Sequence, residues 1–373
     1  MNQRIINVTD NYQALDQWIT DKKAENILLV CDSSLPFLRI NRYFETVENR
    51  LGVRLHRFND FQPNPLYESV VKGVKLFRLE KCDSVIAVGG GSAMDVAKCI
   101  KLYYNMEGDG EGGSFLKQPI VPNSVPFLAM PTTAGTGSEA TRYAVIYYQG
   151  AKQSVSDYSC IPETVLMDSS VLKTLPLYQK KSTMLDALCH AIESFWSVNS
   201  TDESREYSAE AIHMILKNKE AYLENDDQAD REMLLAANIA GKAINITQTT
   251  AGHAMCYKIT SLFGAAHGHA AALCDRILYP WMIRNTGKCI DPRGEEYLKG
   301  ILDEIASAMG CAGAQAGAEK LSALFRELEL DVPKASEADY QVLKTSVNPV
   351  RLKNHPVQLD EDTIDALYHE ILL

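Results

Sequence analysis

The chain has 373 residues, 46% of them hydrophobic and 23% charged, with a formal net charge of −11 at pH 7. This length exceeds what one hydrophobic core usually serves, so two domains are expected, and the composition is that of an ordinary globular protein. An acidic surface without a Lys/Arg block repels phosphate backbones and anionic bilayers, which argues against nucleic acid and membrane as partners.

An anionic small substrate stays open, because a few local cations outweigh distant acids that salt screens. No apolar run approaches the roughly 20 residues that span a bilayer. The N-terminal MNQRIINVTDNYQALDQWIT interrupts its apolar residues and lacks a signal-peptide core, so a soluble, cytoplasmic protein is expected. The nine cysteines, scattered from Cys31 to Cys311 without a CxxC pair, point to reduced packing thiols rather than a disulfide framework or a structural zinc cluster.

In chain order, NILLVCD (26–32), SVIAVGGGS (84–92) and PFLAMPTT (126–133) carry continuous apolar runs that end in polar or glycine residues. Continuous hydrophobicity suits strands covered on both faces, hence a parallel sheet. YESVVKGVKLFRLEKC (67–82) and SAMDVAKCIKLYYN (92–105) have helical spacing and fit between those strands, which predicts an α/β fold. EGDGEGG (107–113) is expected as a flexible surface loop, and Tyr143 to Val155 as a hairpin turning at Gly150.

After about Leu175 the strand signals stop. Apolar residues at three- and four-residue intervals in KKSTMLDALCHAIESFWS, ESREYSAEAIHMILKNKEAYL, DREMLLAANIAGKAINI and EEYLKGILDEIASAM predict an all-helical second domain. Thr201 and Asp202 open one helix as a cap, and DVPKAS (331–336) breaks the chain near its end. The expected division is 1–175 for the α/β domain and 176–373 for the helical one.

Two constellations carry chemistry. The first is VIAVGGGSAMDVAK, where glycines follow a buried strand and precede a helix whose unpaired N–H groups can receive an anion, so a pyrophosphate fits on Gly90, Gly91 and Ser92. Asp32, closing an earlier strand, can accept from a ribose diol and repel a 2′-phosphate, which favours NAD(H) over NADP(H). PTTAGTGSEAT (131–141) brings hydroxyls and glycines to another strand end. The acidic residue precedes the glycine loop and GxGxxG is absent, so this is not the common dinucleotide design.

The second constellation starts with Asp186 and His190, four apart and therefore on one helical face. His253 and His267 follow, separated by an expected bend at Gly264. One Asp and three His suit Fe2+ or Zn2+ without choosing between them. Each pair taken alone also reads as an exposed polar pair or as satisfied interior histidines.

With GGGSAMDVAK, PTTAGTGSEAT, DALCHAIES and GHAMCYKITSLFGAAHGHA in order, and FQPNP (61–65) before them, the chain resembles the iron-containing (group III) alcohol dehydrogenases over essentially its whole length. The resemblance implies the dehydroquinate synthase-like architecture: an N-terminal dinucleotide-binding domain, a C-terminal helical metal domain, a cleft for hydride transfer and a homodimer. By motif position it implies Asp186, His190, His253 and His267 as metal ligands. It likewise implies Asp32, Gly90, Gly91, Ser92, Asp95, Thr132, Thr133 and Ser138 as NAD(P)-binding residues.

Many relatives carry a second histidine four residues after the one matching His253, credited with proton traffic; here that position is Tyr257. A phenol is a less adaptable carrier than an imidazole, so Tyr257 and His269 are both candidates for moving the proton. The segment from Ala243 to Ala270 also resembles the subgroup that reduces phosphonoacetaldehyde to 2-hydroxyethylphosphonate. Lys258 and Arg142 are the cations that would face a phosphonate dianion. Alternatives are a dehydrogenase for a simple alcohol, diol or hydroxy acid, a dehydroquinate-synthase-like lyase, and a catalytically silent binding protein.

Overall fold

The computed structural model describes residues 3–9, 11–347 and 349–373. The chain divides into two compact units, one holding Met1–Thr133 and Gly137–Leu175, the other Ala134–Thr136 and Pro176–Leu373.

The first unit runs β1 (Arg4–Asn7), α1 (Gln13–Lys22), β2 (Asn26–Cys31), α2 (Asn41–Phe44), α3 (Val47–Leu51), β3 (Arg54–Phe58), α4 (Tyr67–Leu79), β4 (Ser84–Gly89), α5 (Gly91–Tyr103), β5 (Phe127–Pro131), β6 (Tyr143–Tyr148), β7 (Ala151–Ser156) and β8 (Thr164–Met167). Six strands form one parallel sheet in the order β1-β8-β5-β4-β2-β3. The three continuous apolar runs are its central strands β2, β4 and β5, buried almost throughout. Against them pack Val70, Val74 and Phe77 of α4 and Val96, Ile100 and Leu102 of α5, closing one face of the sheet into a hydrophobic core.

From β2 the chain moves outward to β3, then crosses back to β4 and continues to β5 on the other side. The order of winding therefore reverses between β2 and β4, and the crevice beyond the carboxyl ends of two such strands is where open α/β sheets take ligands.

The hairpin β6–β7 is antiparallel and turns at Gln149 and Gly150, the hairpin expected over Tyr143 to Val155. The segment expected to be a flexible loop is instead fastened. Phe115 is buried, Tyr67 Oη donates to the Gly110 carbonyl at 2.7 Å, and the Arg78 guanidinium donates to the carbonyls of Tyr103, Tyr104, Met106 and Gly108. One arginine neutralises four backbone acceptors that glycine-rich composition alone would leave to water.

The second unit is helical: α6 (Leu177–Trp196), α7 (Asp202–Leu223), α8 (Asp227–Thr247), α9 (Ala251–Phe263), α10 (His267–Arg284), α11 (Glu295–Ala308), α12 (Ala314–Glu327), α13 (Glu337–Ser346), α14 (Pro349–Leu352) and α15 (Glu361–Ile371). Thr201 caps α7 by accepting from the Ser204 N–H, with Ser204 reciprocating, and Ser336 caps α13 after the break at 331–336. The buried Lys180 ties α6 to its neighbours, donating to Asp230 at 3.0 Å and to the Tyr222 carbonyl at 2.9 Å. Among the described residues no helix is long and apolar enough to cross a membrane.

Candidate metal centre and cofactor crevice

In the first unit, parallel pairing of β2 with β4 and of β4 with β5 places Asp32, the Gly89–Gly91 turn and Thr132–Thr133 at three adjacent carboxyl ends. Asp32 Oδ1 accepts from the Ser34 N–H at 2.9 Å and its Oδ2 from the Gly90 N–H at 3.3 Å. Gly89 must be glycine: its φ is +155°, and a Cβ there would meet Ala93 Cβ and Asp32 Oδ2 at 2.6 Å. At Gly90 a Cβ would meet nothing closer than Thr133 at 3.6 Å. The protein itself leaves that space open, beside the start of the 13-residue helix α5 whose first N–H groups lack intrahelical partners. Asp32, Gly90, Gly91, Ser92, Thr132 and Thr133 are thus gathered at the winding reversal.

Asp95 and Ser138 hydrogen-bond within the unit. Asp95 accepts from Ser138 Oγ at 2.9 Å and from the Val145 N–H at 3.0 Å. Lys98, with 0% of its surface exposed, donates to the carbonyls of Ser138 and Tyr143 and to the Thr141 hydroxyl. These three side chains fasten the 138–145 segment to α5. Arg142 is not free to act as a simple surface cation either: its guanidinium lies over the rings of Tyr143 and Tyr158 and donates to Tyr158 Oη at 2.9 Å.

In the second unit, α6 presents Asp186, His190 and Glu193 at intervals of four and three, all buried. Helix α9 brings His253 opposite them and stops at Gly264, whose φ of +70° is the left-handed cap that lets the chain reverse. Helix α10 then begins on His267 itself. It approaches α6 closely because Gly268 lacks a side chain: a Cβ there would lie 2.0 Å from the Ser182 carbonyl and 2.6 Å from Asp186 Cβ.

The ligand-type atoms of Asp186, His253 and His267 lie within 4.8 Å of one another. Asp186 Oδ1 is 3.4 Å from His253 Nε2 and 4.0 Å from His267 Nε2. Two ligands of one tetrahedral ion with bonds near 2.0–2.1 Å stand about 3.4 Å apart. Asp186 Oδ1 and His253 Nε2 are buried and face only each other, with no well-formed hydrogen bond to either atom, an arrangement that a cation between them would satisfy better. A carboxylate and two imidazoles, with no thiolate among them, fit Fe2+ or Zn2+.

The fourth residue of the expected set, His190, stands outside this tight cluster. Its ring stacks on that of His253, with centroids 4.4 Å apart and planes 16° from parallel.

Charge within the cluster follows from burial and neighbours. Burial pulls His190 down to about 4, Asp186 opposing, so it is neutral near pH 7. Burial would also lower His253, but the carboxylates of Glu193 and Asp186 outweigh it and raise the group to about 10. Burial alone would raise Asp186, yet the surrounding imidazoles hold it well below the usual carboxylate range.

Glu193, absent from the sequence expectations, is the nearest anion. Its Oε1 accepts from the ring Nδ1 of His253 and from the His253 backbone N–H at 2.9 Å. Its Oε2 accepts from the N–H and, at 2.7 Å, the hydroxyl of Thr250. The signal was present: Glu193 continues the Asp186–His190 face by one more turn.

Tyr257 is half-buried and stacks on His267, with centroids 5.3 Å apart and planes 23° from parallel. Lys258 follows it, also half-buried, with no ion pair among the described residues. His269 is held elsewhere. Its Nε2 lies 2.8 Å from the Asp331 carbonyl, which can only accept, so that nitrogen carries the proton; Nδ1, 3.0 Å from Tyr178 Oη, receives the phenol's. Burial lowers its pKa, with the Asp331 carbonyl opposing.

A parallel α/β unit with a ligand crevice at its winding reversal is thus accompanied by a helical unit with a carboxylate–histidine cluster able to hold a metal. Residues 2–169 match the family "Iron-containing alcohol dehydrogenase", and residues 180–372 match "Fe-containing alcohol dehydrogenase family, C-terminal". The chain belongs to the iron-containing alcohol dehydrogenase family.

Its relatives include the aldehyde-alcohol dehydrogenase of Streptococcus pneumoniae, 32% identical over 71% of this chain and 31% of that protein, so the chain spans about a third of the length of that relative. The phosphonoacetaldehyde reductase of Streptomyces viridochromogenes is 29% identical over 81% of this chain and 80% of its own. Among solved structures, the sulfoacetaldehyde reductase of Bifidobacterium kashiwanohense in complex with NAD+ has the same fold, with a TM-score of 0.86 and 24% identity over 99% of this chain and 97% of that one.

Proposed function

We propose that the chain is a metal-dependent, nicotinamide-linked alcohol dehydrogenase working as an aldehyde reductase, with phosphonoacetaldehyde as its substrate. The observation that carries the reading is the convergence of Asp186 Oδ1 and His253 Nε2, both buried and 3.4 Å apart, with His267 beside them. Asp186, His253 and His267 would hold Fe2+ or Zn2+, with His190, on the same face of α6 as Asp186, as the fourth ligand. Bound there, the cation supplies Lewis acidity to a carbonyl oxygen, and a nicotinamide supplies the hydride.

The chain's own residues do the rest. Gly90, Gly91 and Ser92 receive the pyrophosphate on backbone N–H groups, while Asp32 accepts from the ribose diol and disfavours a 2′-phosphate. NADH is accordingly the proposed cofactor. Tyr257, stacked on His267, holds the proton that the product hydroxyl needs; His269, with both ring nitrogens committed, anchors α10 instead. Lys258 is the cation for a phosphonate terminus, since a protonated amine binds phosphoryl oxygens well. Arg142, engaged by two aromatic rings, is the weaker candidate.

The substrate assignment is supported by the relative that reduces phosphonoacetaldehyde. Its test is NADH oxidation by protein loaded separately with Fe2+ and Zn2+, offered phosphonoacetaldehyde, propionaldehyde and lactaldehyde. A strong preference for the phosphonate is expected. Equal turnover of the neutral aldehydes removes the substrate assignment and leaves a dehydrogenase for simple alcohols or diols. No NADH oxidation with either metal removes the enzyme reading.

A further inference from the structure

Helix α9 begins at Ala251 without a side-chain cap from its own N-cap residue, Thr250. The orphan donors at that end are met from another helix. Glu193 of α6 reaches across 57 residues of sequence to accept the Thr250 N–H and hydroxyl on Oε2, and across 60 to accept the His253 N–H on Oε1. Trp196, one turn further along α6, donates its indole N–H to the Thr250 hydroxyl at 2.8 Å. The carboxylate is 0% exposed, so no water competes for these contacts.

The approach is possible because residue 252 is glycine. A Cβ on Gly252 would stand 2.7 Å from Glu193 Oε1 and 1.9 Å from Asp275 Oδ1.

The same Oε1 also faces the His253 ring at Nδ1. A carboxylate can only accept, so Nδ1 must carry a proton; when a cation displaces the other ring proton, it is Nε2 that is left with its lone pair. Nε2 is the buried nitrogen that faces Asp186 at 3.4 Å.

We infer that Glu193 is a positioning residue for the metal centre: it fixes the orientation and tautomer of His253, presenting Nε2 to the cation, while serving as the N-terminal cap of α9. An outer carboxylate of this kind raises the basicity of an imidazole ligand, and its removal typically weakens metal binding about ten- to hundredfold. The inference rests on the metal reading given above, which the experiment tests separately.

Zinc affinity of the metal-free full-length protein is measured by chelator competition for wild type, Glu193→Gln and Thr201→Ala. Thr201→Ala removes the cap of α7 and controls for lost helix stability alone. Zinc binding about ten- to hundredfold weaker in Glu193→Gln, with Thr201→Ala within about threefold of wild type, is the expected result. Glu193→Gln within about threefold of wild type, or an equal loss in the cap control, overturns the inference and leaves the metal centre standing. A wild type that binds no zinc overturns both.

Should Glu193→Gln fail to fold, the wild type decides by itself. In zinc-loaded protein with 15N-labelled histidine, His253 should show a protonated Nδ1 and a metal-bound Nε2; the reverse assignment overturns the inference.

Discussion

His190 and His253 lie ring on ring, 4.4 Å between centroids and 16° from parallel, deep inside the helical unit. Two cationic imidazoles would not stay so placed, and the surroundings divide them: burial leaves His190 neutral, its pKa about 4, while Glu193 and Asp186 overcome burial and keep His253 protonated up to about 10. A cation binding near pH 7 must therefore displace the His253 proton. One proton should be released per metal bound, and affinity should rise about tenfold per pH unit through the neutral range. Calorimetric titration with Zn2+ in buffers of different ionisation enthalpy reads the proton directly. Zero release would mean that His253 is already neutral without metal.

Gly268 sets how near α10 comes to α6. In Gly268→Ala the new methyl would meet the Ser182 carbonyl at 2.0 Å, a backbone atom that cannot swing aside. Overpacking of this kind costs about 1–3 kcal/mol. The helices should separate, carrying His267 away from Asp186, so both Tm and zinc affinity should fall. A variant with a lower Tm and unchanged zinc affinity would show that His267 does not depend on this packing.

Much of this architecture is legible in the sequence, and its gaps have physical causes. β2, β4 and β5 announce themselves because both faces are covered and every position is apolar. β1 and β3 lie at the two edges of the sheet, half-exposed, and their residues RIIN and RLHRF give no continuous run. β8 is buried but only four residues long.

At the sites, residue types usual in ligation stand out in the sequence, whereas Lys98 and Glu193 do not. Both are charged residues in the interior, and what permits their burial is a partner 40 to 60 positions away. Local periodicity carries no trace of such a partner. The spacing of His190 from Asp186 fixes its helical face, but not the rotation of its ring onto His253.

Asp32 stands at the end of β2 with one oxygen on the Gly90 N–H. Removing its charge in Asp32→Gly should lower kcat/KM for NADH, which loses the diol acceptor, and lift the repulsion of a 2′-phosphate. The NADPH to NADH ratio should rise by about tenfold or more, the equivalent of about 1.4 kcal/mol. Steady-state kinetics with both cofactors provides the comparison; an unchanged ratio would place cofactor choice elsewhere.

Lys258 bears on the substrate. A charge-assisted contact contributes about 1.5–3 kcal/mol, so Lys258→Met should raise KM for phosphonoacetaldehyde by about ten- to a hundredfold. KM for propionaldehyde, which has no anion to bind, should stay within about threefold. Equal effects on the two aldehydes would argue for a packing role and against a direct charge contact.

His355 offers a pH test free of substrate. It is 0% exposed, both ring nitrogens lack partners among the described residues, and Trp196 packs edge-on against it at 6.3 Å. Burial drives its pKa down to about 4, only partly offset by Glu193, whereas in the unfolded chain it titrates near 6.5. Above about pH 6.5 neither state holds the proton and the contribution to stability is complete. Between there and about 4 the unfolded chain takes up a proton that the folded chain refuses, so stability falls by about 1.4 kcal/mol per pH unit. In urea titrations of metal-free protein, wild type should lose about 2 kcal/mol more than His355→Phe between pH 7.5 and 5.0. Comparing the two variants cancels the other acid-titrating groups, including the His253 cluster with its opposite sign. Parallel losses would mean that His355 is protonated in the folded state and has a polar partner.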